Sequence, residues 1–234
     1  MRILKVAVLV AALVLVGCPG VAVAAPKDYC TDLKGVNTGR TCEIQMSDPA
    51  YNVKISFPAD YPDPKSLSDY VMQTRDGFLN VAKSSAPRGT PYELDITSTN
   101  YNSAIPPRGT QAVVFKTYEN IGAAHPQTSF KAFNWDQSYR KPIVYDTAGD
   151  DKRTPLWRVD DPLKTVAPIV QSELQKQTGQ QVPVAPTYDP TNYQDFAVTN
   201  DGVIFFFSQG ELLPEAAGAT QVLVPRSAID PMLA

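Results

Sequence analysis

An α+β fold, with a mixed or antiparallel sheet packed with two main helices in a single domain, is predicted by three features of this chain. Strand-like segments occur in pairs, one strongly amphipathic helix separates the first pair from those that follow, and a second helix precedes a closing hairpin. That order is not the regular alternation that builds a doubly wound sheet.

Each element has its own signal. Residues 25–40 are polar and read as loop. Cys42, Ile44 and Met46 alternate, Ser47-Asp48-Pro49 turns the chain, and Tyr51, Val53, Ile55 and Phe57 alternate again, which predicts a hairpin. Leu67, Tyr70, Val71, Thr74, Phe78, Val81 and Ala82 recur at steps of three and four, one face of a helix, with Ser66 and Asp69 as its N-cap pair. Its polar face carries Arg75, Asp76 and Lys83 rather than a basic stripe, so it is expected to pack on a sheet, not a membrane. Strands are predicted over 92–100, 110–120, 129–136 and 143–145, with the turn between the first two at Ile105-Pro106-Pro107-Arg108-Gly109. Residues 146–161 hold five aspartates and read as an exposed loop.

Leu163, Val166, Ala167, Val170 and Leu174 predict a second helix stopped by Gly179. Pro168 makes it start near Thr165 or kink. Phe196–Thr199 and Val203–Phe207 flank Asn200-Asp201-Gly202, a hairpin turn of residues that tolerate positive φ. The unbroken apolar run of the second segment predicts a strand buried on both faces. A helical turn over 212–218 and a strand over 221–224 complete the C-terminal subregion, about 162–234.

The first 24 residues read as an export signal. Arg2 and Lys5 precede the apolar run Val6 to Val16, and Ala22-Val23-Ala24 supplies a small-x-small cleavage site, so the secreted domain is expected over 25–234. A competing reading stays open: Leu15-Val16-Gly17-Cys18 also fits a lipoprotein box, in which a lipidated Cys18 anchors the chain to the cell envelope. No later segment is apolar enough to span a bilayer. Losing the leader removes two basic residues and no acidic one, moving the net charge from −3 to −5. That disfavours nucleic acid and anionic lipid as partners. The 21 prolines are scattered between apolar segments and punctuate loops of a folded domain. Cys30 and Cys42 most economically form one disulfide in an oxidising compartment, since a two-thiol metal site would lack further ligands.

No chemistry stands out. There is no Gly-x-Ser-x-Gly elbow, no phosphate- or dinucleotide-binding glycine loop and no zinc spacing, so no cofactor or metal is expected. A serine hydrolase would have to use the sole histidine, His125, with a serine that cannot be singled out. Asp150-Asp151 and Asp160-Asp161 could supply paired carboxylates but read as water-facing charge. Tyrosines and tryptophans along strands and loops would form a protein- or glycan-binding face wherever they stand exposed.

Several segments carry a resemblance. Cys42 to Asn52, Ser103 to Val114, Trp135-Asp136-Gln137 with Tyr139 to Ile143, Pro168 to Val182 and Asn192 to Ala234 are similar to the mycobacterial secreted immunogenic antigens of the MPT/MPB "sixty-four" type. Residues 147–161 depart most from that pattern. The resemblance implies a secreted, immunogenic protein with a β-grasp-like part and no established catalytic site. The tract Phe196 to Ile229 also resembles an extracytoplasmic domain of lysozyme-sensing anti-sigma factors. Fold likeness of that kind does not carry signalling or catalysis with it. Together these readings lead us to expect a monomeric secreted protein that binds a host or cell-envelope protein or glycan. Weak ester hydrolysis through His125 and a lipoprotein anchored at Cys18 are the alternatives.

Overall fold

The computed structural model describes residues 27–84, 89–105 and 109–234. The expected leader, its expected cleavage site and Cys18 lie outside these residues, as do Pro106, Pro107 and Arg108 of the expected turn.

The segment read as loop begins with a helical turn, α1 (Tyr29–Asp32), and a short strand, β1 (Val36–Asn37). The Asp28 carboxylate makes the difference by accepting the N–H groups of Cys30 and Thr31 at the helix start. Cys30 is bonded to Cys42, with Cα atoms 5.5 Å apart. Gly35 lies flat on this bridge, where a Cβ would come within 2.7 Å of Cys42 Sγ.

Strands β2 (Thr41–Asp48) and β3 (Tyr51–Pro58) form a hairpin that turns Cys42, Ile44, Val53, Ile55 and Phe57 inward. Helix α2 (Pro64–Ser84) crosses over to β4 (Tyr92–Ser103), which pairs with β3 in parallel. The cap of α2 is Asp63 rather than Ser66: its carboxylate accepts the Ser66 N–H at 3.3 Å and the Ser66 hydroxyl at 2.5 Å. Asp69 instead pairs with Lys65. Val81 is 39% exposed and Leu79 is buried in its place, because the apolar stripe drifts around this long helix.

Strands β5 (Thr110–Asn120) and β6 (Gln127–Asp136) continue antiparallel. Then β7 (Lys141–Val144) pairs with the last residues of β6, and β8 (Thr154–Pro155) completes a mixed sheet in the order β1 to β8. The expected loop over 146–161 is therefore not wholly exposed: Leu156 and Trp157, the apolar residues after β8, are driven into the core.

Helix α3 (Leu163–Thr178) starts two residues before Thr165, since Pro162 O accepts the first intrahelical bonds from Thr165 and Val166. Gly179 ends it in the left-handed region, at φ +68°. A short helix α4 (Val184–Thr187) and a 3-10 turn (Pro190–Tyr193) lead into a second antiparallel sheet. In it β10 (Gly202–Phe207) lies between β9 (Phe196–Val198) and β11 (Thr220–Pro225), and α5 (Arg226–Ile229) follows. Gly202, at φ +156°, sits where a Cβ would fall 2.0 Å from Val224 O, so no other residue fits there unmoved.

Alternation sorts these elements into four layers. Leu94, Ile96, Val113 and Phe115 face Leu67, Val71 and Phe78 of α2. Ala112 and Val114, on the other face of β5, meet Ala197 and Phe206 of the small sheet. Val203, Phe205, Phe207, Val222 and Val224 then turn away, onto Val166, Val170 and Leu174 of α3. Each such fully buried aliphatic or aromatic side chain contributes roughly 1.5–3 kcal/mol.

The two sheets are also joined by hydrogen bonds. Beyond β7, the outer edge of β6 would leave alternate N–H groups unpaired. The N–H of Thr128 donates to Gln209 Oε1 (3.1 Å), that of Phe130 to Ser208 Oγ (3.1 Å) and that of Ala132 to Asp195 Oδ1 (2.8 Å). At the opposite end the buried Arg226 guanidinium donates to Ser103 Oγ and Thr199 O, and Asn200 Oδ1 accepts the N–H of Ala104.

Replacing both Cys30 and Cys42 with serine is expected to cost roughly 2–3 kcal/mol in urea unfolding, for the short loop the bridge closes. Asp195→Ala leaves the Ala132 N–H without its acceptor and is expected to cost about 1–3 kcal/mol in the same measurement.

Candidate functional site

A cleft of about 470 Å³ opens where the end of β7, the start of α3 and the segment after α4 converge. One wall is Tyr145, Asp146 and Thr147. Asp160, Asp161, Pro162 and Leu163 form the second, and Tyr188, Pro190, Thr191 and Gln194 form the third.

Local chemistry fixes each wall. The chain leaves β7 and turns at Asp146, whose carboxylate accepts the N–H groups of Thr147 (2.7 Å) and Ala148 (3.2 Å) while its carbonyl accepts that of Trp157 (3.0 Å). Asp189 caps the 3-10 turn by accepting from the Thr191 N–H and hydroxyl, and the Thr191 hydroxyl is the main cause of its lowered pKa. Asn192 Nδ2 donates back to Pro186 O and Gln194 Nε2 to Pro190 O, closing that wall on itself.

The base is aromatic. Tyr145 stacks on the buried Tyr193 with ring centroids 5.9 Å apart and meets Trp157 edge-on at 6.0 Å. Tyr193 in turn abuts Phe205 at 5.1 Å and donates its hydroxyl to Thr187 O at 2.7 Å. Burial raises the pKa of both tyrosines, so their hydroxyls stay protonated. The Tyr145 Oη and Trp157 Nε1 atoms are buried and bear on each other, in a contact too poor in geometry to make a full hydrogen bond.

The polar groups are unevenly balanced. Three aspartates line the cleft and no lysine or arginine does. Asp161 makes an exposed pair with Lys164 at 3.2 Å, whereas Asp160 has no hydrogen bond or ion pair among the described residues. Pro162, which precedes α3, gives the helix no side-chain cap.

His125 stands elsewhere, in the loop between β5 and β6. Its Nε2 lies 3.0 Å from Glu215 Oε2, both side chains about half exposed, and no serine hydrogen-bonds it among the described residues. Asp150 is held by Arg153 away from the cleft, and the same contact lowers its pKa to about 2. Asn200, Asp201 and Gly202 form the β9–β10 turn, where Thr199 N–H donates to Gly202 O at 2.8 Å. Among the described residues no three His, Cys, Asp or Glu side chains gather to hold a metal ion. No helix of these residues is long and apolar enough to cross a membrane. Of the candidates read from sequence, the structure thus brings Asp160 and Asp161 to the cleft and leaves His125 outside it. Tyr145 is one of nine aromatic residues, with Tyr51, Tyr61, Tyr92, Tyr101, Tyr118, Trp135, Tyr139 and Tyr193, that could stand on a binding face, and the structure places it in the cleft. Sequence reading missed Asp146 and Tyr188, whose one signal is that each lies in a Tyr-Asp pair, 145–146 and 188–189.

This two-sheet α+β body is shared with a DUF3298 family protein from Pseudomonas aeruginosa, at TM-score 0.53 and 11% identity over 83% of this chain and 94% of that one. The family described as "protein of unknown function (DUF3298)" matches residues 155–227, a span that includes α3, the small sheet and most of the cleft. Similarity in sequence is much closer to two immunogenic proteins, MPT64 of Mycobacterium tuberculosis and MPB64 of Mycobacterium bovis. Each is 67% identical over 237 residues, with 100% of both chains covered. A Mycobacterium tuberculosis protein named as an esterase is 45% identical, with 99% of each chain covered. The chain belongs to the MPT64/MPB64 family of mycobacterial immunogenic proteins.

Tyr145→Phe removes a buried hydroxyl held only by the poor contact with Trp157 Nε1 and keeps the stacked ring. Its unfolding free energy in urea is expected to change by less than about 1 kcal/mol, where loss of a fully bonded buried hydroxyl would cost about 1–3 kcal/mol.

Proposed function

We propose that this protein is an exported immunogenic protein that works by binding, and that the cleft is where it engages a host or cell-envelope protein or glycan. The observation that carries this reading is the meeting of tyrosine rings and aspartates in one concavity on a stacked aromatic base. Rings with a polar tip supply contact area while carboxylates fix orientation, and the volume lies in the range of small-ligand sites, roughly 300–1,000 Å³. The leader composition, the disulfide and relatives named as immunogenic support export. A lipid on Cys18 would tether the same binding body to the envelope.

Ester hydrolysis is the second reading, supported by the relative named as an esterase and by the His125–Glu215 contact. A carboxylate beside an imidazole is two-thirds of a catalytic triad. The contact occupies Nε2, leaving Nδ1 to activate a nucleophile, and no serine hydroxyl is bonded there among the described residues. Binding is therefore favoured.

Purified mature protein is expected to turn over short-chain p-nitrophenyl esters no faster than its His125→Ala variant; a His125-dependent rate would establish the hydrolase instead. Fluorescently labelled protein is expected to bind cultured macrophages or isolated envelopes at least about fivefold less well once Tyr188 is alanine. Tyr139→Ala, at a residue 67% exposed on the β6–β7 turn, is the control expected to bind unchanged.

A further inference from the structure

We propose that the cleft recognises an uncharged pyranose unit of a glycan, with the sugar's C–H face on Tyr188 and its hydroxyls donating to Asp160 and Asp161. The inference rests on the cleft being the binding site and names its ligand class.

Three observations select the class. First, Tyr188 is 43% exposed although it lines a concave wall, so it offers aromatic surface to a flat, weakly apolar partner. The exposed Pro190 extends that apolar surface beside it, with the buried Pro162 and Leu163 behind.

Second, acceptors and donors lie together. Asp160 is unengaged, and Asp161 is held by a solvent-exposed lysine whose pairing is weak. Gln194 and Thr191 each donate to their own wall, which leaves the Gln194 Oε1 and the lone pairs of Thr191 Oγ1 as acceptors. The Thr147 hydroxyl and the uncapped start of α3 are donors. Groups that both donate and accept match this mixture, and the hydroxyls of a sugar do both. An ammonium ion donates alone and would leave the Thr147 hydroxyl and the first amides of α3 without an acceptor.

Third, no lysine or arginine lines the cleft while three aspartates do. Uronate, sialate, phosphate or sulfate would enter an acidic site without a partner charge. The volume of about 470 Å³ admits more than one ring, so a short oligosaccharide is the appropriate probe.

The test titrates isotope-labelled residues 25–234 with maltotriose, chitotriose and mannotriose, following amide shifts by NMR and heat by calorimetry. At least one is expected to bind with a millimolar or tighter dissociation constant and to shift residues 145–147, 160–163 and 188–194. Tyr188→Ala and Asp160→Asn are each expected to weaken it about tenfold, the equivalent of 1.4 kcal/mol, while Tyr188→Phe retains it. Both side chains are exposed, so circular dichroism should show the variants folded. Shifts confined to other surfaces, affinity indifferent to both variants, or equal binding of sialyllactose would overturn the assignment. So would failure of all three sugars, and an oligolysine peptide bound in their place would identify a cationic ligand. If the sugars fail while Tyr188→Ala still removes the protein from cells, the ligand class falls and the site stands. If Tyr188→Ala has no effect on cells, the site itself falls.

Discussion

The outer edge of β6 governs the arrangement of this molecule. A central strand of an eight-stranded sheet is flanked on both sides, but β7 reaches only its last three residues. The three N–H groups left over receive Gln209, Ser208 and Asp195, all supplied by the segment carrying the small sheet. Because those donors repeat at the fixed interval of a strand, they set where the second sheet sits along the first, and apolar packing alone would not. Ala112, Val114, Ala197 and Phe206 then fill the space between. Small residues on one side and a phenylalanine on the other are what allow two sheets to close face to face.

The cleft follows from that placement. Tyr193 and Phe205 belong to the small-sheet module, and Tyr145 and Trp157 arrive from the end of the large sheet. Their stack spans the two modules whose sheets the β6 edge joins.

Much of the architecture was legible in the sequence because period and punctuation agree there. The alternation over Cys42–Phe57, the helical stripe from Leu67 to Ala82, the stop at Gly179 and the apolar run Val203–Phe207 each define an element the structure contains. The misreadings share one cause: the deciding partner is remote or competes locally. Asp63 outcompetes Ser66 for the cap of α2 because its carboxylate reaches both the Ser66 amide and hydroxyl. Trp157 looks like part of a charged loop until a second sheet exists to bury it. The cleft was barely legible for the same reason. Asp160 and Asp161 read as solvated charge, and they are exposed; what gives them a setting is Tyr145 and Tyr188, brought beside them by the fold.

The order of the layers has a consequence for a protein of an immunogenic family. Helix α2 forms one outer surface and the cleft opens beside α3 on the other, with two sheets between them. An antibody whose epitope is the solvent side of α2, around Met72, Gln73 and Asp76, would leave the opposite mouth unobstructed. An antibody seated on α2 would therefore not cover the cleft, whereas one raised against the α3 face could close it.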